Sequence, residues 1–172
     1  NNMFLERNSI NRGKGYSLKK AFKYALNKNY SHVISIDSDF QHDPYEINKF
    51  IETDSNVDLV LGKRKFSSPM PIHRIVSNAL TSSIISSIKG KEIHDSQCGY
   101  RRYSMNFIKE IDKLDENGYQ FESELLLKLI KDETKIEHVD INTIYLDNNK
   151  SYINKRKDTF KFIKMIMRHI FA

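Results

Sequence analysis

The feature that most limits what this chain can fold into is residues 31–44, S-H-V-I-S-I-D-S-D-F-Q-H-D-P. Val33, Ile34 and Ile36 form a compact apolar run that reads as a short buried strand. Asp37, Asp39 and Gln41 follow at spacing two, so an extended backbone points all three to one face. Two carboxylates that close, left unpaired, raise each other's pKa, and a divalent cation between them removes the conflict. Oxygen donors without Cys or paired His select a hard ion, Mg²⁺ or Mn²⁺, which completes its shell with water and substrate phosphates. A bare D-x-D arises in many acidic loops. Here it stands at the carboxyl end of an apolar strand, where open α/β sheets collect their ligands. Asp43, Pro44, Tyr45 and Glu46 then read as a helix start, with an acidic N-cap, Pro at the first position and Glu at the third.

That helix carries Ile47, Phe50 and Ile51 inward, and residues 57–62, V-D-L-V-L-G, form the next strand. Strand, helix and strand within about 30 residues make a βαβ unit and predict a parallel pair. Lys63, Arg64 and Lys65 follow at the same sheet edge as the acidic cluster. They are either a solvated charge run or a seat for an anionic second substrate. Upstream, after at most one short strand at residues 3–5, N-R-G-K-G-Y-S at residues 11–17 is a glycine-rich turn feeding a helix. Leu18, Ala21, Phe22, Ala25 and Leu26 give that helix one apolar face. The turn is not a Walker A loop, because the upstream glycine is missing and Gly15 follows Lys14 in place of Ser or Thr. Lys14 either solubilises a turn or, with the amides of Gly15 and the helix start, faces a phosphate.

Downstream, residues 67–71 are a loop and residues 72–88 a helix with Ile72, Ile75, Val76, Ala79, Leu80, Ile84 and Ile88 as its apolar positions. It has no acidic residue, so it is a core helix, or one that lies on a membrane or lines an acceptor groove. Residues 95–103 pass from a polar loop into a short aromatic strand, and Ser104 caps a helix holding Phe107, Ile108 and Ile111. Residues 119–124 open a helix with Leu125, Leu126, Leu129 and Ile130, whose early glutamates the helix dipole accounts for. Residues 135–145 alternate as a strand with Val139, Ile141, Thr143 and Tyr145 on one face, and residues 147–150 turn. The last segment, residues 158–172, is a basic helix with Phe160, Ile163, Met167 and Ile170 as its stripe, widened by Phe162, Ile166 and Phe171. With Lys155, Arg156, Lys157, Lys161, Lys164 and Arg168 around it, this helix either seats on a membrane surface or packs on the core. The expected division is one α/β domain over residues 1–157 followed by that helix.

Length agrees, since 172 residues make one domain with a real core. The excess of 28 basic over 22 acidic residues, +6, directs the chain toward phosphates, anionic lipid or nucleic acid. The acidic cluster argues against nucleic acid, whose phosphates it would repel. Cys98 is the sole cysteine, so no intrachain disulfide forms and a reducing, cytoplasmic setting is expected. No apolar run reaches 18 residues, the length that reads as a membrane span.

Taken together, N-R-G-K-G at residues 11–15, D-S-D-F-Q-H-D-P at 37–44, L-G-K-R at 61–64, H-R-I-V-S-N at 73–78, D-S-Q-C-G-Y-R at 95–101 and F-E-S-E at 121–124 resemble the family 2 glycosyltransferases of GT-A fold. The chain is most similar to the dolichol- and polyprenyl-phosphate sugar synthases, and the resemblance runs in order over nearly all of it. It implies a Rossmann-like three-layer α/β sandwich with a mostly parallel sheet. It also implies a nucleotide-sugar donor, a polyprenyl phosphate acceptor, and a site at the cytoplasmic face of a membrane, to which the protein is peripheral or anchored. Asp37 and Asp39 would hold the metal on the donor diphosphate, joined by Gln41. Arg64 would meet the lipid phosphate, together with Ser77 and either His73 or Arg74, and Asp95 would stand as an acid on the acceptor side. Residues 147–151 do not reproduce the family's late basic residue and leave Lys150 as a substitute candidate.

The chemistry this implies is coherent. A metal on Asp37 and Asp39 neutralises the leaving diphosphate, and an ionised phosphate nucleophile needs no strong base. A sugar hydroxyl as acceptor would need one, and Asp95 is then the candidate. Asp39, Arg64 and Asp95 are thus the expected catalytic residues. The front departs from the family, because two βα units, roughly 60 residues at about 30 per unit, precede the N-x-G-K-G turn elsewhere. The expectation is an N-terminally truncated GT-A domain with a half-built nucleotide pocket. The competing expectation is a non-catalytic remnant that binds a membrane or a partner.

Overall fold

The computed structural model describes residues 3–65, 72–144 and 155–171. In chain order these form α1 (Lys14–Asn27), β1 (His32–Ser35), a 3₁₀ turn at Pro44–Glu46 running into α2 (Ile47–Ile51), β2 (Leu59–Arg64), α3 (Ile72–Lys89), β3 (Arg101–Ser104), α4 (Met105–Ile108), α5 (Phe121–Leu129), β4 (Ile136–Ile141) and α6 (Lys155–Ile170), with a second 3₁₀ turn at Ile111–Lys113. Residues 3–5 form no strand. The expected loop at 67–71, Tyr145, the turn at 147–150 with Lys150, and the side chains of His73, Lys155, Arg156 and Lys157 lie outside the described residues. α6 begins ahead of the expected boundary at 158.

The sheet order is β1-β3-β2-β4. β3 runs antiparallel to both of its neighbours, with Arg101 opposite Ser35 on β1 and opposite Leu61 on β2, while β2 and β4 pair in parallel. Three of the four strands therefore point one way. β1 and β2 are parallel as their spacing predicts, but β3 stands between them. The carboxyl ends of β1, β2 and β4 and the approach to β3 all lie at one end of the sheet, so residues 37–41, 64, 95–99 and 142–144 meet there.

Alternation along β2 shows why the sheet needs cover on both sides. Leu59 and Leu61 enter the larger core with Phe22, Ile85, Tyr103 and Leu125, while Val60 enters a smaller one with Phe50, Cys98, Tyr100 and Ile141. Helices α1, α3, α4, α5 and α6 supply the first face and α2 the second, which makes three layers. Burial of each such aliphatic side chain contributes about 1.5–3 kcal/mol. The helix starts are capped where the sequence predicts. Asp43 Oδ1 accepts from the Tyr45 amide at 2.9 Å, with Pro44 behind it, and Ser104 Oγ accepts from the Phe107 amide at 3.1 Å.

Four burial expectations change. β1 is half-buried along its length and Ile36 is 42% exposed, because β1 is an edge strand with a single neighbour. On α2 only Phe50 is buried, Ile47 and Ile51 facing outward, and on α1 Ala21 is exposed. α3 is the largest difference. Ile72, Val76 and Leu80 face outward, while Asn78, Thr81, Ser82 and Ile85 turn inward. The loop before β3 is the reason. Ser82 Oγ donates to Ser96 Oγ at 3.0 Å and accepts from the Ser96 amide at 2.9 Å, and Asn78 Nδ2 donates to Asp95 at 2.8 Å. A buried amide and a buried carboxylate without partners cost more than a few exposed aliphatic side chains, so the polar side of α3 goes in.

Candidate functional site

Asp37 stands just past the end of β1, and Lys14 holds it. Lys14 Nζ lies 2.8 Å from Asp37 Oδ1 and 2.9 Å from Oδ2, and the same ammonium lies 2.7 Å from Glu122 Oε2 on the first turn of α5. The glycines on either side of Lys14 deliver it there. Gly13 adopts φ +94°, which L side chains rarely do, and a Cβ on Gly15 would stand 2.8 Å from Phe121 Cγ. The first turn of α1 thus sits directly on the start of α5. Burial lowers the Lys14 pKa, but the Glu122 and Asp37 carboxylates outweigh it and raise the value above that of a free lysine. Asp37 is also packed on Gly99, where a Cβ would stand 2.6 Å from its Cγ. Ser35 Oγ pins that stretch by donating to the Gly99 carbonyl at 2.8 Å.

The backbone does not stay extended through the D-x-D. Residues 38–40 bend, Phe40 takes φ 61°, and Asp39 Oδ1 accepts from the Gln41 amide at 3.1 Å. Asp37, Asp39 and Gln41 are therefore neighbours across a turn and not one face of a strand. Asp39 is exposed and Gln41 half-buried. The far side of the turn is clamped to the chain beyond β4. Ile144 donates its amide to the Gln41 carbonyl at 3.0 Å, and the buried Glu46 carboxylate accepts from both the amide and the side chain of Asn142 at 3.1 Å.

Arg64, at the end of β2, forms a two-pronged pair with Asp95: Nε to Oδ2 at 2.7 Å and a terminal nitrogen to Oδ1 at 2.9 Å. Asp95 also accepts from the Arg64 amide, Asn78 Nδ2 and the Gln97 amide. It is 0% exposed. Five donors on two oxygens use the acceptor capacity of a carboxylate, which makes Asp95 a holder of Arg64. Beneath this loop Arg101, fully buried, donates to the Cys98 and Ser96 carbonyls, each at 2.7 Å. His42 lies between the two halves. Its pKa is lowered chiefly by burial and also by Arg64, against the pull of Asp37, Asp39 and Asp95. Its Nδ1 is buried without a hydrogen-bond partner among the described residues.

Among the described residues no group of three or more His, Cys, Asp or Glu side chains gathers to hold a metal. Asp37, Asp39 and Gln41 nevertheless fit the kind of shell that Mg²⁺ or Mn²⁺ uses, one or two carboxylates with the remaining positions left to phosphate and water. Of the residues expected from the sequence, the fold joins Lys14 to Asp37 and Arg64 to Asp95, with Gly15 buried in the turn beside them. On α3, Arg74 is half-buried and Ser77 exposed, and it is Asn78 that reaches Asp95. Glu122, Asn78, Gly99 and His42 escape the sequence reading. Glu122 had a signal, since it shares a helix face with Leu125, Leu126 and Leu129, and a carboxylate on an apolar face needs a partner.

A family model described as glycosyl transferase family 2 matches residues 2–112. An uncharacterized protein of Methanocaldococcus jannaschii is 35% identical over 179 residues, covering 99% of this chain and 76% of that protein. A UDP-N-acetylglucosamine–dolichyl-phosphate N-acetylglucosaminyltransferase of Methanococcus voltae is 30% identical over 80% of this chain and 57% of its own length. Among solved structures, glucosyl-3-phosphoglycerate synthase from Mycobacterium tuberculosis superposes with a TM-score of 0.66 at 17% identity when bound to UDP, over 93% of this chain and 56% of that one. The same enzyme with Mn²⁺ and UDP-glucose gives 0.62 at 16% identity, over 93% and 55%. The chain thus spans little more than half the length of the solved structure it resembles.

Proposed function

Because the chain belongs to glycosyl transferase family 2 and has the GT-A fold, we propose that it transfers a sugar from a nucleotide-sugar to a polyprenyl-type phosphate. The observation that carries this reading is the meeting at one sheet end of the carboxylate turn, Asp37 held by Lys14 and Asp39 exposed, with the buried Arg64–Asp95 clamp. In it, Asp37, Asp39 and Gln41 are the residues that would hold a divalent cation, which would supply charge neutralisation for the departing diphosphate. Lys14 faces the same diphosphate, and Arg64, steadied by Asp95, orients the acceptor phosphate with help from α3. The Methanococcus voltae relative, named for a dolichyl-phosphate acceptor, and the Mn²⁺ bound in the structural neighbour support these assignments. So does the full hydrogen-bonding of Asp95. A carboxylate that accepts five donors is a poor general base, which favours an ionised phosphate over a sugar hydroxyl as nucleophile.

The test is transfer of labelled sugar from a panel of nucleotide-sugars to a polyprenyl phosphate. Asp39→Ala should lower kcat/KM by about a hundredfold or more. Unchanged transfer would remove the metal assignment.

The reading includes docking on an anionic membrane surface at its cytoplasmic face. No helix among the described residues is long and apolar enough to cross a membrane. α6 offers another mode of attachment. Met165 and Ile166 pack into the core with Phe162 beside them, and Phe160, Ile163, Met167 and Ile170 form a second, exposed apolar sector. At about 100° per residue the exposed Lys161, Lys164 and Arg168 lie along one side of that sector, Arg168 paired with Glu116. An apolar strip with cations along one edge suits the headgroup region of anionic lipid. Sedimentation with phosphatidylserine-containing vesicles should show salt-sensitive binding, lowered about tenfold by Ile163→Asp with Met167→Asp. Equal binding of wild type and double variant would exclude α6.

A further inference from the structure

We propose that the Lys14 ammonium is a resident counter-ion of Asp37, displaced toward the donor diphosphate when a divalent cation arrives, and that Glu122 is the positioning residue that keeps Lys14 in the site. The inference rests on the metal-assisted reading above and adds an order of events to it. Lys14 Nζ lies within 2.9 Å of both Asp37 oxygens, the oxygens a cation would use. An ammonium seated on both oxygens repels an incoming divalent ion, so Lys14 gives up at least one of them for a metal to enter.

Glu122 decides where it goes. Its side chain is 9% exposed on the apolar face of α5, with one oxygen 2.7 Å from Nζ and the other buried without a hydrogen-bond partner among the described residues. A buried carboxylate left without a partner is costly, and the Lys14 ammonium is the cation in contact with it. The buried Arg101 instead spends Nε and a terminal nitrogen on the Cys98 and Ser96 carbonyls. Lys14 therefore remains tethered to Glu122 after release from Asp37. An ammonium has three donors, so one can stay on Glu122 while another turns to a phosphate oxygen beside the metal. Sharing the ammonium with Glu122 also loosens its hold on Asp37, which leaves the carboxylate open to the metal.

Binding of Mn²⁺ to the whole chain, followed by the electron paramagnetic resonance of free Mn²⁺ with and without inorganic pyrophosphate, tests this. Lys14→Gln should tighten Mn²⁺ binding on the order of tenfold without pyrophosphate, since Asp37 loses its competitor. The same variant should lose the strengthening that pyrophosphate brings to the wild type. Glu122→Gln should act in the opposite direction, weakening Mn²⁺ by about threefold, because Lys14 then sits on Asp37 alone. Opposite signs are not produced by general loosening of the fold. If Lys14→Gln does not fold, Lys14→Met takes its place, and a melting curve for Glu122→Gln that overlays the wild type excludes loosening as the cause of its weaker binding. If Asp39→Ala abolishes Mn²⁺ binding while both variants match the wild type or shift together, the counter-ion role is overturned and the metal assignment stands. If the wild type binds no Mn²⁺, the metal assignment falls and the counter-ion role with it.

Discussion

Asp95→Ala should destabilise the fold by about 3–5 kcal/mol, the usual cost of removing one partner from a buried ion pair. The Arg64 side chain is 13% exposed and Asp95 0%, so solvent does little to screen what is lost. The variant leaves Arg64 and Asn78 facing a void and frees the amides of Arg64 and Gln97, all of which now end on the two Asp95 oxygens. For a chain of this length the melting temperature should fall by about 10 °C. Asp95→Asn keeps the shape and an acceptor oxygen but removes the charge, so its melting temperature should lie between the two. If Asp95 holds Arg64, the asparagine variant raises KM for the acceptor more than it lowers kcat. A collapse of kcat at unchanged KM would mark Asp95 as a base instead. Melting curves for Asp95→Ala that overlay those of the wild type would refute the clamp.

Gly99→Ala should leave the fold standing and disable the site. The added Cβ would overlap the Asp37 carboxylate, 2.6 Å from Cγ and 2.8 Å from Oδ1, with Ser35 Oγ holding the Gly99 backbone in place. Asp37 is the part that can yield, by rotating off Lys14. Overpacking of this kind costs about 1–3 kcal/mol in stability. Moving a reacting group by about 1 Å can cost a hundredfold in rate, and a loss of that order in kcat/KM is expected. A melt shifted by a few degrees together with near-wild-type transfer would show that Asp37 does not need its present position.

Much of this was legible along the chain. The caps at Asp43 and Ser104, the helix with Leu125, Leu126 and Leu129 inward, and the apolar core of β2 each follow from a few consecutive residues, because caps and periodicity are local. The acidic turn was legible as a ligand set but not as a shape. Nothing in D-S-D-F-Q announces that Phe40 takes a positive φ, since non-glycine residues do so only where surrounding contacts compel it. α3 misled for a related reason. Its aliphatic residues outnumber its buried polar ones, and only the loop ending in Asp95 and Ser96 explains why Asn78 and Ser82 take the inside.

The sequence by itself determined the types of the elements, the order of the motifs and the chemistry of the donors, oxygen for a hard cation and guanidinium and ammonium for phosphate. Tertiary structure alone decided which of these groups meet. It set β3 between β1 and β2, joined Lys14 to both Asp37 and Glu122, and enclosed Asp95 under Arg64 and Asn78. Periodicity reports how a residue prefers to be buried, and a motif reports what it can bind. Partners distant in the chain are chosen by strand register and by the close approach that Gly13, Gly15 and Gly99 permit, and neither is written in any short stretch of residues.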